Sequence, residues 1–129
     1  MNQTQKKLGE AEVEIMQAIW NAGVPVTSSY IHKELSEQRV WQLSTLMTSL
    51  SRLSDKGFVQ CDRSTGTNLY SAAISENDYK AGAGEGFLKR LYNSSIRNMV
   101  ATLYGNKVLS EDDVAELRAY LDELEAKKK

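Results

Sequence analysis

Between Leu8 and Trp20 the large apolar side chains recur at helical spacing. Val13, Met16 and Trp20 stand three and then four residues apart, and Ile15 and Ile19 stand four apart. That spacing gathers them on one side of a helix and leaves Glu10, Glu14 and Gln17 on the other. A stripe of this kind needs other elements to cover it. Residues 1–7 lead into this acidic amphipathic helix without an apolar signal core, so no secretory signal is expected.

The punctuation that follows supplies those elements. The first helix is predicted over residues 10–21, with Gly23 suited to a left-handed C-terminal position and Pro25 unable to continue it. Thr27 and Ser28 are N-cap candidates for a second helix over 28–38, whose inward face carries Ile31 and Leu35. Tyr30 and His32 fall toward its flank. After a break at Arg39-Val40-Trp41, the residues Leu43, Leu46, Leu50 and Leu53 form one stripe of a third helix, closed by Lys56-Gly57.

The opposite face of that third helix carries Ser44, Thr45, Met47, Thr48, Ser49, Ser51 and Arg52. Hydroxyls are poor helix formers beside Glu, Lys and Gln. Their accumulation reads either as a neutral solvated surface or as one that presses against something close and polar. Two short runs, 58–63 and 68–74, then flank the turn Ser64-Thr65-Gly66-Thr67, the pattern of a β-hairpin. Three helices and a hairpin in this order make a winged helix, a variant of the helix-turn-helix. The fold class expected is mainly α with a small β-hairpin wing, followed by a helical segment.

Charge and composition bound the function. The 129 residues carry 16 Lys or Arg against 17 Asp or Glu, a net charge of −1. Residues 1–74 are balanced at seven and seven, so no overall basic bias announces nucleic acid, and any such footprint rests on a few placed cations. Cys61 and His32 are the only residues of their types, too few for an internal disulfide or an ordinary structural zinc site. No cofactor, metal site or catalytic nucleophile–base pair is expected. Cys61 reads as a packing residue of the wing or, alternatively, a thiol handle; His32 reads as a boundary residue or a pH sensor. No apolar run has the length to span a bilayer, and a cytoplasmic protein is expected.

Beyond residue 75 the chain turns helical again. Ser75 or Asn77 caps a segment bearing Tyr79, Phe87, Leu88 and Leu91, interrupted by Gly82, Gly84 and Gly86. Each glycine costs a helix interior about 1 kcal/mol relative to alanine, so this stretch reads as a connector, a bend or a close helix crossing. A second segment carries Ile96, Met99, Val100 and Leu103. A third begins at Ser110 and carries Val114, Leu117, Leu121 and Leu124, a seam too brief to hold a coiled coil alone and suited to one strip of a larger interface.

These pieces together resemble the penicillinase repressor family (the BlaI/MecI/CopY group) over nearly the whole chain. Residues 8–20 are similar to the family's opening L-T-x-x-E-W-E-V-M-x-x-L-W: Glu12, Glu14, Met16 and Trp20 match, while Gly9 and Val13 replace Thr and Trp. Trp41 stands where the family has tryptophan before its recognition helix. Residues 44–53 resemble K-T-(V/I)-x-T-L-(L/I)-x-R-L, followed by Lys56-Gly57. Tyr70-Ser71 and Ile74-Ser75 resemble the end of the wing, and residues 109–124 resemble the closing L-S-x-x-E-(L/I)-x-x-L-x-x-x-L helix.

The resemblance implies a homodimeric repressor binding a palindromic double-stranded DNA operator, through a recognition helix at about 43–56 and a wing at about 58–74. It implies a DNA-binding domain at residues 1–75 and a helical dimerisation domain at 76–129. Thr45, Thr48 and Arg52 sit on matching positions and inherit the DNA-contact role, with Gln42, Ser44 and Ser49 beside them and Arg63, Thr67 and Asn68 in the wing. The implied dimer interface comprises Phe87, Leu91, Ile96, Val100, Leu103, Val114, Leu117, Leu121 and Leu124. An inducer or a regulatory protease is the implied further partner, of unassigned identity. The departures are also specific. Ser44 and Met47 stand where relatives often have Lys or Arg, Ser49 replaces a leucine, and Thr67 replaces a common basic wing residue. The C-x-C pairs of the copper-responsive branch are missing, and Thr102-Leu103 occupies the place of the Asn–Phe bond cleaved in the beta-lactam branch. A winged-helix module that binds protein instead of specific DNA is the alternative, favoured by the cation-poor third helix.

Overall fold

The structure is a computed structural model that describes residues 8–128. Its order is α1 (Glu10–Ala22), α2 (Ser28–Leu35), α3 (Leu43–Asp55), β1 (Val59–Asp62), β2 (Leu69–Ala72), α4 (Glu76–Tyr92), α5 (Ile96–Gly105) and α6 (Glu111–Lys127). The chain divides into two compact units, the first ending at Gly84 and the second beginning at Glu85. The residue-75 boundary expected from sequence precedes α4, whereas this division falls within it.

The first unit is the predicted winged helix. Glu12 accepts from the Gly9 N–H at 3.1 Å to open α1, and Gly23 closes it at φ 71°, a left-handed position that favours glycine. Thr27 caps α2 by accepting from the Tyr30 N–H. The second helix ends at Leu35, three residues short of the Gln38 expected, because Gln38 N–H turns to the Leu35 carbonyl and tightens the exit. Gly57, at φ 87°, reverses the chain from α3 into β1.

β1 and β2 pair antiparallel, with Val59 opposite Ala72 and Cys61 opposite Tyr70. Val26 adds a bridge on the far side of β2, exchanging both backbone hydrogen bonds with Tyr70 at 2.9 and 2.7 Å. The loop between α1 and α2 is thereby stitched to the sheet, a contact that local periodicity does not announce.

The core sits where α1, α2, α3 and the sheet meet. Ile15, Met16, Ile31, Leu46, Leu50, Leu53 and Phe58 are its fully buried large side chains, each stabilising the fold by roughly 2 kcal/mol through burial. Trp20 and Val13 are only half-buried at its margin. Trp20 anchors by donating its Nε1–H to the Ile74 carbonyl at 3.0 Å. Tyr79, from the second turn of α4, packs edge-on against Phe58 and lies close to Trp20. Leu43 departs from the predicted stripe: it is 54% exposed. It occupies the first position of α3, and its Cβ leans toward the helix N-terminus, past the edge of the core.

Ser75 accepts from the Asp78 N–H and so caps α4 in preference to Asn77. The helix then runs unbroken through Gly82, Gly84 and Gly86. A Cβ added at Gly84 meets nothing within 4 Å, so no close crossing explains that glycine.

In the second unit Ser95 caps α5, and Ser110 forms a reciprocal capping box with Asp113 at the start of α6. The unit lacks a dry centre: no residue of α5 or α6 is buried.

Candidate nucleic-acid interface

The third helix turns one face inward through Leu46, Leu50 and Leu53 and presents the other to solvent. Gln42, Ser44, Thr45, Thr48 and Arg52 are all exposed there, while Ser49 is half-buried at the edge. Gln42 occupies the N-cap position without a side-chain capping bond. The first N–H groups of α3 are therefore left without a side-chain cap and can meet an anion such as a phosphate. The Thr48 hydroxyl is differently engaged, donating to the Ser44 carbonyl one turn back at 3.0 Å. Arg52 lies in the last turn and is the helix's single cation.

Contacts at both ends hold this helix at its angle, and none of them was assigned a role from sequence. At its C-terminal end Lys56 Nζ donates to both oxygens of Glu12, at 3.1 and 2.9 Å, tying α3 to α1. Burial acts to raise the Glu12 pKa. The Lys56 hydrogen bond, the Gly9 N–H and the charges of Lys56 and Arg52 outweigh it and hold the carboxyl below its ordinary value. At the other end His32 Nε2 lies 2.7 Å from the Trp41 carbonyl, fastening α2 to the segment entering α3. Trp41 itself is buried and donates its indole N–H to Glu14 at 3.4 Å. Arg39 also reaches Glu14, at 3.2 Å, and its guanidinium lies 5.0 Å from the centre of the Trp41 ring.

The wing begins immediately after this helix. Arg63, Thr67 and Asn68 are exposed around its turn, where Gly66 takes φ 85°. Asp62 accepts from both the backbone N–H and the hydroxyl of Ser64, at 2.9 and 2.7 Å, which lowers its pKa and shapes the tip. Cys61 is half-buried in β1 opposite Tyr70, as the packing reading expected. Burial pushes the Tyr70 phenol up, opposed by a hydrogen bond with Asn68.

Among the described residues no group of three or more His, Cys, Asp or Glu is placed to hold a metal ion. No helix among them is long and apolar enough to cross a membrane.

The profile of the penicillinase repressor family matches residues 8–123 of this chain. The chain belongs to the penicillinase repressor family. It is 32% identical to the penicillinase repressor of Bacillus licheniformis over 123 residues, covering 95% of both chains. It is 27% identical to the methicillin resistance regulatory protein MecI of Staphylococcus aureus strain N315, covering 90% of this chain and 94% of that one. Among solved structures it is similar to the Bacillus licheniformis BlaI monomeric form in complex with the blaP half-operator. That likeness has a TM-score of 0.50 at 31% identity and covers 57% of this chain and 89% of that one. The family is one of DNA-binding transcriptional repressors and not of enzymes. The winged-helix architecture read from the sequence is the architecture of its relatives' DNA-binding domains.

Proposed function

We propose that this chain is a homodimeric repressor acting in the cytoplasm, which seats α3 in the major groove of each half of a palindromic operator. The carrying observation is the exposed face of α3, packed on the core through Leu46, Leu50 and Leu53 and anchored at both ends, in a chain whose relative is solved on a half-operator. In this reading Arg52 meets phosphate or guanine, Thr45, Ser44 and Gln42 meet backbone or base edges, and Ser49 supports from the margin. Arg63, Thr67 and Asn68 grip the adjoining backbone from the wing.

The second unit supports a dimer. Phe87, Leu91, Ile96, Leu117, Leu121 and Leu124 are exposed in the single chain, and Val100, Leu103 and Val114 are half-buried. Helices of this length depend on tertiary packing, and α6, with 17 residues and none buried, lacks it in one copy. A second copy offering the same strip supplies it in a symmetric, self-complementary way. An inducer or regulatory protease acting on this unit completes the reading.

Selection from a random-sequence duplex pool with the full chain tests it. Recovery of a two-fold symmetric sequence bound by two chains supports the reading. A pool that shows no enrichment, with a folded dimeric protein, contradicts it and favours a protein-binding module.

A further inference from the structure

Leu43 and Met47 stand one helical turn apart at the start of α3, Leu43 just past the end of the core stripe and Met47 on the helix's flank, and are 54% and 38% exposed. Val40, in the segment leading into the helix, is 93% exposed. Single apolar residues at a surface need no explanation, but here three fall around the start of one helix. They lie among the same turns as Gln42, Ser44, Thr45 and Thr48. Those turns contain no Lys or Arg, and the helix's one cation, Arg52, comes near its end.

The hydroxyl of Thr48 sharpens the point. Its proton is committed to the Ser44 carbonyl at 3.0 Å, so toward a partner the side chain offers a methyl group and oxygen lone pairs. A helix that read guanine from its leading turns would place Arg or Lys there, to reach O6 and N7. This one places Leu, Met and threonine methyls there.

Among the groups displayed in the major groove, the apolar one is the 5-methyl of thymine. We infer that Met47 and Leu43 read thymine 5-methyl groups, so that operator preference in this chain is set by apolar contact more than by charge. The inference rests on the operator-binding reading above and names the chemistry of its base contacts. Met47 is suited to the task because its unbranched, polarisable side chain adapts to a curved surface.

Deoxyuridine differs from thymidine only by the missing methyl group. The probe is the duplex recovered by selection, prepared with thymine and with uracil at each half-site position in turn. Affinity should fall about fourfold for each contacted methyl, the expected effect of burying one such carbon. Met47→Gln, checked for folding by circular dichroism, should bind the thymine duplex more weakly and lose that discrimination, whereas Met47→Leu should keep it. Equal affinity for thymine and uracil duplexes overturns the inference while leaving operator binding intact. Discrimination that survives unchanged in both Met47→Gln and Leu43→Gln also overturns it. Failure to recover any duplex overturns the operator reading and this inference together.

Discussion

His32 Nε2 stands 2.7 Å from the backbone carbonyl of Trp41, and because a carbonyl only accepts, the imidazole is the donor. The bond spans the turn between α2 and α3. It fixes where the third helix begins without touching the helix itself. His32→Ala should lower stability by about 1 kcal/mol, the net value of one such bond. It should also weaken operator binding by more than the stability loss explains, since α3 loses its entry anchor. Thermal unfolding and binding anisotropy on the same samples check this. Equal binding by the folded variant would assign the bond to stability alone.

Glu12 and Lys56 predict a pH dependence. The folded Glu12 carboxyl lies below its ordinary value, so its contribution is complete at neutral pH and is lost as pH falls through the folded value. Glu12→Gln should cost roughly 1 kcal/mol at pH 7, in the range of a partly exposed ion pair with an added capping bond. The gap between variant and parent should narrow as pH falls below the ordinary carboxylate range and close only once pH passes below the lowered folded-state value. Denaturant titrations across that window measure it.

Arg52→Ala should weaken operator binding by about tenfold or more and leave the unfolding midpoint nearly unchanged, because the side chain is exposed. If Arg52 meets a phosphate, the slope of log affinity against log salt should also fall by about one. A loss of affinity with an unchanged slope would place Arg52 on a base edge instead.

No residue of α5 or α6 is buried, and the proposed dimer is expected to be held by their apolar strip. Leu117→Asp with Leu121→Asp should give a monomer in sedimentation velocity, while the winged helix keeps its circular dichroism and unfolding signature. A dimer that persists would move the interface elsewhere.

Much of this architecture was legible because it is written in local terms. The Ile15, Met16 and Ile19 positions of α1, the Leu46, Leu50 and Leu53 stripe of α3 and the turn around Gly66 each announce themselves within one or two turns of chain. The positioning contacts are not local. Glu12 and Lys56 are 44 residues apart, and Leu8 N–H reaches the Tyr79 hydroxyl over 71. Nothing in one sequence pairs them. Leu43 was misplaced for a related reason: periodicity assigns a residue to a face but does not show where the core ends. Gln42, Thr45, Thr48 and Arg52 were legible as a surface, yet their chemistry depends on details such as the Thr48 bond to Ser44.

The most direct measurement is hydroxyl-radical footprinting of the full chain on DNA upstream of its own coding sequence, at about 50 to 200 mM salt. Two symmetric protected half-sites are expected, spaced by about one helical turn or a multiple of it. Arg52→Ala should abolish both at the same protein concentration. Uniform or absent protection by a folded, dimeric protein would contradict the operator-binding reading.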